Sequence, residues 1–224
     1  MKSLLPFRTA IGTLAIGVCS VANAATIMNG NFDEDVIANG TFTQTKTLSG
    51  GWINAQVDPN ATIELRNNVA GAAQSPNNYV ELDSKFNSEM QQTIFNTILG
   101  QEYLLTFWYS PRQGIEAISN GINVFWNNML VNTDGVITGK GLPIPQGNLW
   151  VEKAFTVFGT GGNVDLKLAA AGTSDSFGGG VDTMKLSAVP LPGAALLFGT
   201  AFLTGAVARR KKQKQIAAEK SMVA

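Results

Sequence analysis

The sequence predicts an all-β protein, an antiparallel sandwich that stands between an N-terminal apolar segment and a C-terminal one. In residues 25–188, short runs of alternating apolar and polar residues are separated by Gly, Asn, Pro and Asp, without a clear amphipathic helical pattern. Strands that recur without intervening helices favour antiparallel sheets packed face to face. At 164 residues, this domain is long enough to bury one core without disulfides.

Two segments carry the strand signal most clearly. Residues 103–109 alternate so that one set faces the core, and residues 121–126 do the same before an Asn127-Asn128 pair that is typical of a hairpin turn. Further strands are expected at 61–66, 78–83, 91–95, 149–158, 163–169 and 181–187. The inward set is expected to be Tyr103, Leu105, Phe107 and Tyr109 in the first segment, and Ile122, Val124 and Trp126 in the second.

Residues 1–24 have the pattern of a secretory signal peptide. Lys2 and Arg8 precede an apolar stretch, and the segment ends in the small residues of Ala22-Asn23-Ala24. We expect cleavage before Ala25; the alternative is lipoprotein processing at Cys19. Once the signal is removed, the chain has neither Cys nor His, which excludes disulfides, thiolate or imidazole metal sites, and triads that depend on either residue.

The C-terminal region has the pattern of a membrane segment. Residues 189–208 contain no charge, and a helix of that length covers about 30 Å, one hydrocarbon core. We expect the helix at 193–208 and, after the basic cluster at 209–212, a basic cytoplasmic tail at 213–224. A buried core helix is the alternative, although such a helix normally shows a polar face.

The formal charge of zero hides two segments of opposite sign. Residues 25–188 contain 15 Asp and Glu against eight Lys and Arg, a net charge of −7, whereas residues 209–224 contain six bases and one acid, a net charge of +5. An acidic body argues against nucleic-acid binding, which needs a basic patch. The basic tail instead suits the cytoplasmic side of a membrane.

A proline motif, an apolar helix and a basic cluster occur in that order, at Val189, Pro190, Leu191 and Pro192, then 193–208, then Arg209 and Arg210. This order resembles the PEP-CTERM sorting signal, in its VPLPA-type variant, of exported proteins from Gram-negative bacteria that make exopolysaccharide. The resemblance implies an exosortase-like membrane protease as partner and cleavage near the proline motif. Leu191 replaces the usual Glu, and residues 213–224 extend beyond the usual end. A permanent anchor is the alternative.

A second set of motifs is spread over the domain, at residues 28–33, Gly51-Trp52, 91–94, 100–109 and 180–186. In order and spacing they resemble galactose-binding-like jelly rolls, which include carbohydrate-binding modules and the related DUF642-type exported proteins. The resemblance implies a jelly-roll β-sandwich whose first and last segments lie close together. Many members hold a structural Ca²⁺ there.

The resemblance suggests one metal site. Ca²⁺ takes six to eight oxygen ligands, and the candidates are Asn29, Asn31, Asp33, Asp35 and Asp182. In the alternative, Asp182 accepts hydrogen bonds from backbone N–H groups at a turn and the acidic cluster is a solvated loop. The usual Glu of the family is Asp33 here, which has a shorter reach.

A second candidate site is a sugar-binding face. If Tyr103 and its partners point inward, Trp108 points outward, and we expect Phe125 and Asn123 to do so on a neighbouring strand, with Arg112 at the same rim. The alternative is that a loop, 66–76 or 140–148, covers Trp108. Trp52 and Trp150 are expected to be structural plugs beneath loops.

Catalysis is the rival class of function. Glu81 and Asp83 share one face of a predicted strand at a spacing that glycosidases permit, yet a lone sandwich offers little cleft. We therefore expect no enzymatic activity, but an exported cell-surface or extracellular protein that binds exopolysaccharide. The alternative is a structural surface or biofilm protein that assembles through protein contacts.

Overall fold

The computed structural model describes residues 24–190. These residues form twelve strands and one 3₁₀ helix, Ser49–Gly51. The strands are β1 (Thr41–Thr45), β2 (Thr47–Leu48), β3 (Trp52–Asn54), β4 (Ile63–Asn67), β5 (Asn78–Glu81), β6 (Glu89–Ile94), β7 (Glu102–Ser110), β8 (Ile122–Trp126), β9 (Met129–Leu130), β10 (Val151–Phe158), β11 (Val164–Ala170) and β12 (Gly180–Ala188).

Two six-stranded sheets make up the sandwich. The first has the order β1-β4-β5-β12-β7-β10, and the second has the order β2-β3-β6-β11-β8-β9. Every strand pair is antiparallel. The prediction of an all-β antiparallel sandwich is therefore confirmed, and so are all eight strands that alternation predicted, with ends displaced by a few residues.

The core lies between the sheets and follows the alternation predicted for β7 and β8. The four inward residues of β7, from Tyr103 to Tyr109, are at most 2% exposed, whereas Leu104 between them is 41% exposed. Ile122, Val124 and Trp126 are buried on the facing sheet. The predicted plug Trp52 is fully buried, and its indole N–H donates to the Met28 carbonyl at 3.0 Å.

The Asn127-Asn128 hairpin is also confirmed. Both residues have positive φ, 51° and 60°, and Trp126 pairs with Met129 across the turn. Two successive residues with positive φ give the turn a twist that matches the flanking strands, which is why Asn is favoured there. Strands β2, β3 and β9 have two or three residues each, too few for alternation to be recognised.

The first and last segments of the domain meet, as the jelly-roll resemblance implied. Met184 of β12 donates its N–H to the Gly30 carbonyl at 2.8 Å. A Cβ on Gly30 would lie 2.2 Å from the Met184 carbonyl oxygen, so this approach requires glycine. The opening motif of the resemblance, residues 28–33, forms turns in the structure.

Several expectations fall outside the described residues. These are the signal peptide up to residue 23 and, from residue 191 onward, the rest of the sorting motif, the helix at 193–208, and the tail. Within residues 24–190, no helix is long and apolar enough to cross a membrane.

The alternation along β7 makes a test of the packing. Leu105→Ala is expected to lower the free energy of unfolding by about 2–5 kcal/mol, because it leaves a cavity between the sheets. Leu104→Ala, next to it on the solvent side, is expected to change it by only about 0.5 kcal/mol. Urea unfolding measures both, and equal losses would contradict the assigned register.

Candidate ligand-binding face

The predicted sugar-binding residues are divided between two sheets. Trp108 is on β7 of the first sheet, and Phe125 and Asn123 are on β8 of the second. All three alternate with core residues and point outward, so they lie on opposite sides of the sandwich. The expectation that they share neighbouring strands is therefore wrong, because the chain changes sheets between β7 and β8.

The outer side of the second sheet is an accessible surface, which we call the open face. Its central row crosses five strands by direct pairing, and at about 4.8 Å per strand it spans about 19 Å. The row consists of Ile53, Gln91, Lys167, Phe125 and Leu130. Every one of these side chains is half-buried or exposed.

Lys167 and Phe125 form the centre of the open face. The Lys167 ammonium lies 4.8 Å from the centroid of the Phe125 ring and 3.0 Å from a carboxylate oxygen of Glu89. On the neighbouring row, the amide oxygen of Asn123 accepts a hydrogen bond of 2.9 Å from Asn132. The face thus combines one flat apolar ring with charged groups and an oriented amide.

Part of the outer side of the first sheet, around Tyr79 of β5 and Asp182 of β12, is covered instead, whereas most of β10 is exposed. Residues 68–77, which we call the cover loop, fold back over the covered part. The Asp182 carboxylate on β12 accepts hydrogen bonds of 2.9 Å from the N–H groups of both Gln74 and Ser75. The indole N–H of Trp150 donates to the Ala72 carbonyl at 2.9 Å, which fastens the loop from the other side.

Trp108 lies at the margin of this covered region. It pairs with fully buried Asp182 on one neighbouring strand and with exposed Glu152 on the other, and it is itself half-buried. Loop 66–76, one of the two that the alternative placed over Trp108, therefore covers Asp182, the residue beside Trp108. Trp150, the other predicted plug, packs edge-on against Tyr79 with ring centroids 5.5 Å apart.

Arg112 belongs to an ion network with Glu81, not to a rim shared with Phe125. Its guanidinium lies 2.7 Å from Glu81 and 4.7 Å from the centroid of the Phe177 ring. Arg66 lies 3.1 Å from the other Glu81 oxygen and also contacts Glu64. Two carboxylates and two guanidinium groups thus lie together, and all except Arg112 are almost fully buried.

The carboxylate pair considered for hydrolysis is part of the same buried region. Glu81 is 1% exposed and Asp83 is fully buried. Glu81 also accepts the N–H of Gly178 at 3.1 Å, and Asp83 accepts those of Asp175 and Ser176 at 2.9 and 3.1 Å. Neither carboxylate faces a cleft, so the arrangement is typical of a structural network.

The candidate calcium ligands are engaged with hydrogen-bond donors. Besides the two bonds to Asp182, the Asp33 carboxylate accepts the N–H of Asn78 at 3.0 Å. Asp35 accepts the N–H and the hydroxyl of Ser49, and the side-chain amide of Asn29 at 2.9 Å. The side-chain amide of Asn31 donates to Asp33 at 2.8 Å.

Among residues 24–190, no group of three or more His, Cys, Asp or Glu side chains is placed to hold a metal ion. This arrangement favours the alternative to calcium binding for Asp182, in which its carboxylate accepts hydrogen bonds from backbone N–H groups at a turn. Calcium binding stays a prediction, and it would require the acidic side chains to give up these donors.

Gln92 is a structural residue whose role the sequence did not reveal. Its neighbour Gln91 points to the open face, whereas Gln92 points inward and is 2% exposed. Its side-chain amide bonds the N–H and the carbonyl of Met28, and the carbonyl of Gly50, at 2.8–3.0 Å. The N-terminal segment is thereby held to the second sheet.

No protein-family model and no curated protein matches this chain. Among solved structures, the chain is similar to the Stig cyclase FisC from Fischerella sp. TAU, with 17% identity and a TM-score of 0.52 over 75% of this chain and 99% of that one. It is also similar to a CBM35 from Paenibacillus barcinonensis, with 16% identity and a TM-score of 0.41 over 68% and 100% of the two chains. A third likeness is the CBM22-1 xylan-binding domain of Xyn10C from the same organism, with 10% identity and a TM-score of 0.42 over 70% and 99%. The likeness to FisC concerns the fold alone.

The buried network makes stability depend on pH. Burial raises the pKa of Glu81 to about 7, although Arg66 and Arg112 act in the opposite direction. Burial likewise raises the pKa of Asp182 to about 6, against the hydrogen bonds from the cover loop. Between each ordinary pKa and the raised one, the folded chain binds more protons than the unfolded chain, so the free energy of unfolding falls as pH rises.

For Glu81 the sensitive window runs from pH 4.5 to about 7. We expect the urea midpoint to fall between pH 5 and pH 7.5, and Glu81→Gln to reduce that fall, because the substitution removes the group that titrates in this window. Glu116→Gln is the matched control, because its pair with Lys140 is exposed. An unchanged pH dependence in Glu81→Gln would contradict the assignment.

Proposed function

We propose that this chain is an exported, non-catalytic surface or extracellular protein whose sandwich binds a polysaccharide on the open face. The observation that carries the proposal is the central row of the second sheet, which is accessible and combines an aromatic ring with polar groups, whereas a loop is tied over Asp182 on the outer side of the first sheet. Binding sites are found where aromatic and polar side chains remain accessible together.

The chemistry of the open face suits a sugar. The ring of Phe125 offers a flat apolar surface for the C–H side of a pyranose. Around it, Gln91, Thr93, Asn123 and Glu89 offer amide, hydroxyl and carboxylate groups that hydrogen-bond hydroxyls. An extended row of this kind favours an extended chain of sugars over a single small molecule.

The charge of the domain narrows the class of polysaccharide. With a net charge of −7 over residues 25–188, the body repels polyanions. Lys167, the cation at the centre of the open face, is already paired with Glu89. We therefore propose a neutral exopolysaccharide in preference to one rich in uronic acids or sulfate.

Export and sorting complete the proposal and rest on the sequence. The signal peptide at 1–24 supports passage through the inner membrane, and the segment at 189–212 supports a transient anchor with its C-terminus in the cytoplasm. In this proposal an exosortase-like protease then cuts near Pro190 and Pro192. After this cleavage, the mature domain is located at the cell surface or in the extracellular medium.

The experiment is a binding measurement on the exopolysaccharides of bacteria that carry exosortases, by affinity electrophoresis in neutral and acidic polysaccharide gels. Phe125→Ala is expected to weaken binding tenfold or more, about 1.4 kcal/mol. The matched control is Trp108→Ala on the other sheet, which is expected to leave binding intact. Both residues are half-buried aromatics that point outward.

The three outcomes lead to different conclusions. Loss in Phe125→Ala alone supports the open face, whereas loss in Trp108→Ala alone transfers the site to the first sheet. If no polysaccharide slows the migration of the protein in the gel, the second candidate is favoured, a matrix protein that assembles through protein contacts. That candidate draws support from the exposed apolar side chains at one end of the sandwich.

A further inference from the structure

One end of the sandwich carries three connecting loops, which we call the exit end. They are residues 95–101 between β6 and β7, residues 127–130 around the β8–β9 hairpin, and residues 158–163 between β10 and β11. Together these segments contain no charged residue. The loops at the opposite end include Asp58, Lys85, Glu116, Asp134, Lys140 and Asp175.

Large apolar side chains point into solvent at the exit end. Leu99 is 77% exposed and Met129 is 72% exposed, and they stand with a further group of half-exposed or exposed residues. That group is Phe95, Ile98, Leu130 and Phe158. An open apolar groove of about 490 Å³ lies among Leu99, Met129, Leu130 and Phe158.

Hydrogen bonds join the three loops into one surface. The N–H of Thr97 donates to Gly162, and the N–H of Gly100 donates to Gly159, each at 2.9 Å. The indole of Trp126, beside the hairpin, donates to the Phe158 carbonyl at 2.8 Å. The apolar side chains are therefore held in place together and do not belong to separate mobile tips.

The described chain ends at this surface. The N–H of Val189 donates to the Glu102 carbonyl at 2.9 Å, and its own carbonyl accepts the side chain of Gln101 at 2.7 Å. Glu102 pairs directly with Phe158. The uncharged residues 189–208 thus begin within one strand spacing of the apolar loops.

We propose that the exit end is a lipid-contacting surface, which rests on the outer leaflet of the membrane while the chain retains its C-terminal segment. The exit end and the start of the uncharged segment 189–208 are adjacent. A membrane that contains residues 189–208 would therefore also contact Leu99, Met129 and Phe158. Exposed apolar clusters without charge enter the interfacial region of a bilayer, where burying each side chain is favourable. This inference rests on the predicted membrane segment and is independent of sugar binding.

The charge distribution of the domain determines which lipids the exit end contacts and how the domain is tilted on the membrane. The acidic residues Asp33, Glu34 and Asp35 lie towards Ser49 and Asn78, on the side of β2 and β5, away from the hairpin. A net negative body is repelled by anionic lipid. The surface therefore suits a zwitterionic leaflet, with the β8–β9 and β10 edge closest to it.

The test uses the full chain in vesicles of phosphatidylcholine, with Cys19→Ser so that each engineered cysteine is the only one. An environment-sensitive fluorophore is attached at Leu99→Cys or Met129→Cys. The matched control is Ile118→Cys, which is 73% exposed at the opposite end. Because all three positions are exposed, labelling them is not expected to disturb folding.

Labels at 99 and 129 are expected to shift their emission to shorter wavelength and to be quenched by lipids that carry a nitroxide on the acyl chain. The label at 118 is expected to be quenched by aqueous iodide instead. Iodide quenching at all three positions would overturn the proposal. Labels at 99 and 129 that are shielded from both quenchers would indicate a protein-covered surface and overturn it too, as would a chain that does not float with the vesicles.

Discussion

The carboxylate of Asp182 is the group on which the division of the two outer faces depends. Buried on β12, it receives two backbone N–H groups of the cover loop and ties that loop across the first sheet. A buried carboxylate without such donors would be costly, and a loop without the carboxylate would leave N–H groups unpaired. The carboxylates of Glu64 on β4 and Glu81 on β5 are paired with Arg66 and Arg112.

Two accessible surfaces of the sandwich differ in chemistry. The open face is a mixed row centred on Phe125 and Lys167, and the exit end is apolar and uncharged. They meet at Leu130, which pairs with Phe125 in the open face and lines the apolar groove of the exit end.

The sequence predicted the fold better than the sites. Period-two alternation identified the inward residues of β7 and β8, and the Asn pair identified the hairpin, because both signals are local. Sheet membership is not local, so alternation showed that Trp108 and Phe125 point outward without showing that they lie on opposite sides. Glu81 and Arg112 lie 31 positions apart in the chain, and nothing nearby in the sequence indicates that they pair.

Hydroxyl-radical footprinting of the exported protein, with and without a neutral exopolysaccharide, tests the division of the faces most directly. The readout is the oxidation of Phe125 relative to Trp108 in the same sample, so scavenging by the sugar cancels. Protection of Phe125 with Trp108 unchanged is the predicted result. A Phe125-to-Trp108 oxidation ratio that saturating polysaccharide leaves unchanged, or protection of Trp108 alone, would contradict the open face as the binding surface.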